Sequence, residues 1–116
     1  MRSLLFLIAA LFPIASFAQD AKSLVPDALQ QGTMTNEKLR QDALVGVRGW
    51  LGAKGCENLL EFTPFVTKLP EGEVGSRAWQ EAWVAGCSNG KFTVRIDFME
   101  SGLNAANWTI RDTTDH

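Results

Sequence analysis

The dipeptide Asn89-Gly90, flanked on both sides by alternating apolar and polar residues, constrains this chain more than any other feature. Asn and Gly tolerate the positive φ angles of a tight type I′ turn, so the pair is expected to join two antiparallel strands, residues 77–87 and 91–99. With Asn89-Gly90 as the loop, Cys87 faces Phe92, Ala85 faces Val94, Trp83 faces Ile96 and Glu81 faces Phe98. These side chains share one side of the sheet, because alternate residues of a strand do so. Lys91, Thr93, Arg95 and Asp97 fall on the other side. Turn chemistry and hydrophobic alternation thus agree on one pairing. A further strand over residues 105–111 would add Trp108 and Ile110 to the apolar side.

Upstream, the apolar period changes from two to 3.6. Leu39, Ala43, Val47 and Trp50 or Leu51 recur at helical spacing, predicting a helix over residues 36–53. Thr35 can cap it, Glu37 suits the positive end of its dipole, and Gly55 is a natural stop. Gly46, Gly49 and Gly52 weaken this helix but leave a strip where a sheet can approach closely. Residues 58–63 and 65–69 read as strand segments divided by Pro64, which lacks a donor and marks an edge or a bulge. Residues 70–75 form a polar loop. The lead-in, residues 19–35, holds a short helix over residues 23–31 if Pro26, Asp27 and Gly32 act as its start and stop. Residues 112–116 read as a mobile polar tail. The expected fold class is α+β, one main helix packed on a three- to four-stranded antiparallel meander within a single domain, residues 36–111.

Residues 1–18 carry the three parts of a secretory signal: Arg2, an apolar run from Leu4, and small residues Ser16 and Ala18 before a cleavage point at Gln19. The run is shorter than the roughly 20 residues of a spanning helix and contains Pro13. The expected location is periplasmic or secreted, with no membrane insertion after signal cleavage. In that setting Cys56 and Cys87 form a disulfide. Closing a loop of this size stabilises a fold by about 3–4 kcal/mol in the chain-entropy description.

Charge and composition narrow the function classes. The net charge is −2 and basic residues are scattered, so a nucleic-acid footprint is not expected. There is one histidine, His116, at the chain's end. It is poorly placed for a nucleophilic triad, and with both thiols paired no zinc ligand set remains. No spacing singles out a catalytic pair among the 13 acidic residues. The expectation is therefore a non-enzyme without cofactor or metal.

Two residues are candidates for binding, Glu81 and Trp79. The hairpin pairing sets Glu81 between Trp79 and Trp83 on the apolar face, where a carboxylate needs hydrogen bonds or a partner. It is either a recognition or acid–base group in a tryptophan-lined recess or, as carboxylates more often are, a rim residue paired with an arginine or a backbone amide. Trp50, Trp83 and Trp108 are expected in the core. Trp79, near the open end of the hairpin, is the one left for a ligand.

The stretch Trp79-Gln80-Glu81-Ala82-Trp83, then Cys87, then Val94-Arg95-Ile96-Asp97-Phe98, resembles a W-x-E-x-W…C hairpin pattern of small uncharacterised exported bacterial proteins. In that pattern a glycine follows the cysteine directly, whereas Ser88-Asn89 intervene here. The resemblance implies the hairpin and the second cysteine, and carries no activity. The expected function is a non-catalytic binding module for an envelope protein or glycan, of inhibitor or immunity type. The alternative is an assembly factor of the cell envelope acting through edge-strand pairing.

Overall fold

The computed structural model describes residue 17 and residues 20–115, with residues 112–115 described by backbone alone. Of the expected signal over residues 1–18, all but residue 17 lies outside the described residues, as do residue 19 at its expected cleavage point and His116. The elements are β1 (Gln30–Gln31), α1 (Glu37–Lys54), β2 (Leu59–Glu71), β3 (Ala78–Cys87), β4 (Gly90–Glu100) and β5 (Ala106–Asp115). The strands form one antiparallel sheet in the order β1-β2-β3-β4-β5.

The class is as expected, but the sheet has five strands rather than three or four. The extra strand comes from the lead-in. No helix begins at Ser23: the helical turn ends there, and Gln30 and Gln31 pair with Val66 and Phe65 of β2. The lead-in is held because Ala21 and Val25 bury fully against Phe65, Ala82 and Val84. Residues 112–115, expected as a mobile tail, continue β5 opposite β4.

Helix α1 starts one residue later than its expected cap. Asn36, not Thr35, occupies the cap position, its side chain accepting from the Leu39 amide at 2.8 Å. Gly55 closes the helix in the left-handed conformation, φ 111°. Ala43, Val47 and Leu51 face the sheet and pack with Trp83, Phe92, Val94, Ile96 and Phe98. Trp50 was expected in the core but is 37 % exposed, lying under the Lys54 ammonium. One turn carries both residues, and the helical stripe takes Leu51 instead. Of the three glycines, Gly46 answers to close packing: a Cβ there would collide with the Trp108 ring, while Gly49 and Gly52 face open space.

The hairpin differs from its expected register by two residues. Cys87 pairs with Gly90, Trp83 with Val94, Glu81 with Ile96 and Trp79 with Phe98. The loop is Ser88-Asn89, and no non-glycine residue among the described residues has positive φ, which excludes a type I′ turn at these two residues. The Asn89 side chain is engaged elsewhere: it donates to the Gly55 carbonyl at 2.7 Å and accepts from the Glu57 amide at 3.1 Å. These bonds lash the turn to the helix end beside the Cys56–Cys87 disulfide, whose Cα atoms are 5.7 Å apart across a separation of 31 residues. A shift of two keeps every side chain on its expected face, so the apolar side survives the correction.

Pro64 does not divide β2. The strand runs through it, with Pro64 opposite Trp83. Its carbonyl points away from β3, toward the lead-in, where the Gly32 amide reaches it at 2.8 Å. A strand residue directs its N–H and C=O to the same side, so the donor that proline lacks is one that β3 does not need.

Candidate functional site

Glu81 and Trp79 sit two apart on β3 and meet. The Trp79 indole donates to one Glu81 oxygen at 2.8 Å, and the Trp83 indole donates to the other at 2.8 Å. The backbone amide of Met34, just before α1, adds a third donor at 2.9 Å. Glu81 is 1 % exposed and faces no basic side chain in these contacts. Both oxygens act as acceptors, so a buried carboxylate is satisfied by three neutral N–H groups. Of the bland reading, the backbone-amide partner is present in Met34, but the residue is buried rather than at the rim, has indoles in place of an arginine, and leaves no oxygen open to a ligand. Its work is to hold the two indoles and to tie the loop before α1 onto the sheet.

Trp79 is also largely spent on the interior. It is 5 % exposed and stacks on Phe98 with centroids 5.0 Å apart and planes at 10°. Trp83 stacks on Phe62 at 5.3 Å. What Trp79 offers outward is one wall of a recess of about 420 Å³ between the start of α1 and the β4–β5 loop. Met34, Leu39, Leu103 and Ala106 supply its apolar lining, and Asn36, Lys38, Asp42 and Asn104 its polar groups. Met34 and Leu103 are 43 % and 78 % exposed, giving the recess an apolar rim.

The floor of this end is built by Arg77 and Glu100. One Glu100 oxygen accepts from the amides of Gly75 and Arg77 and from Arg77 Nε, and the other accepts from an Arg77 terminal nitrogen at 2.7 Å. The Arg77 guanidinium and these amides pull the Glu100 carboxyl down from 4.5 to about 2. Gly102 donates to the Gly75 carbonyl, so the β2–β3 and β4–β5 loops are clasped together. At the same end, Gly75 (φ 96°) and Gly102 (φ 88°) adopt left-handed turns, and their backbones approach so closely that a Cβ on Gly75 would touch Gly102 at 3.8 Å.

Sequence reasoning placed Trp79 and Glu81 together and missed the Arg77–Glu100 clasp. The signal was in the hairpin: the register drawn from Asn89-Gly90 sets Arg77 opposite Gly102, whereas two residues of correction bring it opposite Glu100, whose amide donates to the Arg77 carbonyl. Met34, Asn36 and Asp42 come from another part of the chain and had no local signature. Among the described residues, no group of three Cys, His, Asp or Glu side chains gathers as metal ligands. Comparison of the chain with protein-family models, with curated proteins and with solved structures returns no match.

Proposed function

We propose that this chain is a non-catalytic binding module of the cell envelope, exported and closed by its disulfide, whose recess at the loop end takes a segment of a partner protein. The recess itself carries the reading: a concave wall with an exposed apolar rim at Met34 and Leu103 and polar groups within reach, on a rigid base. A protein segment fits better than a glycan. Sugar stacking needs an open aromatic face, and Trp79 and Trp83 are stacked on phenylalanines with their indole N–H groups taken by Glu81. The same saturation argues against acid–base chemistry at Glu81. The disulfide, together with the lack of any helix among the described residues long and apolar enough to cross a membrane, is compatible with the proposed compartment.

A photo-crosslinking residue at Leu103, activated in intact cells, is expected to give one discrete adduct that disappears with Met34→Asp. A bare background at that position, or retention on purified peptidoglycan instead, sinks the reading. An inhibitor or immunity role is the form in which such a module acts on an envelope enzyme.

Edge-strand assembly is the second reading, favoured by the outer edge of β5, which no described strand covers, and by β1 covering β2 at two positions alone. Pro64 blunts the β2 edge. Pro64→Val should therefore promote self-association in sedimentation velocity; a mutant that stays monomeric at all concentrations removes this reading.

A further inference from the structure

Gly86 lies within β3, between Glu61 on β2 and Lys91 on β4, in one row across the sheet face opposite α1. Its backbone φ is not in the left-handed region, so conformational freedom does not explain a glycine there. Space does. A Cβ on Gly86 would lie 2.6 Å from the Phe17 ring and 3.3 Å from Glu61 Cγ. A glycine inside a strand marks a place where another group approaches the backbone closely. The Phe17 ring rests over it, with Lys91 Nζ 5.8 Å from the ring centroid, a cation–π distance.

Phe17 precedes the cleavage point expected from Ser16 and Ala18, so processing there would remove the ring and leave its seat, and the inference rests on that cleavage. Ala21 and Val25, which hold the lead-in to the sheet, lie beyond the cut and stay buried. We infer that the exported chain carries a vacant seat for one aromatic side chain, floored by Gly86 and walled by Glu61 and Lys91, and that a partner protein inserts a phenylalanine-like ring into it. The chain's own Phe17 shows the fit: a flat ring on a bare backbone floor, beneath an ammonium. The seat lies on the face opposite the loop-end recess and does not depend on that recess binding anything.

The test uses the processed chain recovered from the envelope, with its N-terminus sequenced, and a capped synthetic peptide spanning residues 12–18 as probe. The expected result is a mature chain starting at Gln19, with amide shifts at Gly86, Glu61 and Lys91 on titration. A peptide with Phe17→Ala should bind about ten-fold more weakly or worse. Gly86→Ala in the protein should abolish the shifts with little change in melting temperature, since in the cut chain the nearest atom shown to meet the added methyl is Cγ of the flexible Glu61 side chain. Lys91→Met should weaken binding while leaving the floor intact. Equal shifts from the alanine peptide, silence at about 5 mM peptide, or a mature chain that retains Phe17 would each overturn the inference.

Discussion

At the scale of single residues, Glu81 is the most demanding position in the molecule. Three N–H donors from Trp79, Trp83 and Met34 converge on it out of water. Glu81→Gln keeps the volume but turns an NH₂ group toward one of those donors, and is expected to cost about 2–4 kcal/mol in urea denaturation. Glu81→Leu leaves all three donors unpaired and should cost more. A loss under about 0.5 kcal/mol for either variant would contradict this account. The sequence showed the tension, a carboxylate between two tryptophans on an apolar strand face. It hid the resolution, because the Met34 amide is 47 residues away along the chain. Trp50 shows a similar limit: helical spacing admits either it or Leu51 to the core, and packing alone chose Leu51.

At the scale of elements, α1 separates two uses of glycine. Gly49→Ala and Gly52→Ala meet open space and should each stabilise the fold by up to about 1 kcal/mol through helix propensity. Gly46→Ala gains the same propensity but drives its methyl into the Trp108 ring, so its net effect should be destabilising. Thermal unfolding of the three single variants tests the contrast, and three shifts of one sign would refute it. The β3–β4 hairpin carries the parallel lesson. Its alternation marks the strands and their inner face, whereas Asn-Gly taken by itself points to an isolated two-residue turn. In the molecule Asn89 answers to Gly55 and Glu57, residues of the neighbouring segment, and the loop moves one residue back to Ser88-Asn89.

At the scale of the whole molecule, two fasteners sit at opposite ends of the sheet. The disulfide joins the end of α1 to the β3–β4 turn, and reducing it should lower the unfolding free energy by about 3–4 kcal/mol, read from urea curves with and without reductant. The Arg77–Glu100 clasp joins the far loops. Its carboxyl titrates at about 2 when folded against 4.5 ordinarily, so the unfolded chain takes up the proton first as pH falls. The clasp therefore contributes fully above pH 4.5 and loses its contribution as pH drops toward 2. Arg77→Met should flatten that part of the stability profile; an unchanged acid limb would show the clasp to be inert. Asp27, bonded by the Arg95 guanidinium at 2.9 and 3.0 Å and lowered for that reason, adds a smaller loss of the same sign.

Local chemistry alone determined much of this protein. Periodicity marked α1 and the strands, alternation chose the buried face of the hairpin, and two cysteines had one partner each. Such properties depend on neighbours within a few residues or on a pairing without competitors. The tertiary structure decided what depends on distant groups meeting: the strand made from Gln30 and Gln31, the two-residue register shift of the hairpin, the donors around Glu81 and the loop-end recess. Each of these, the hairpin's two-residue shift of register at unchanged loop length included, is set by burial and hydrogen-bond satisfaction between segments far apart in the chain, and those terms come into existence when the sheet closes.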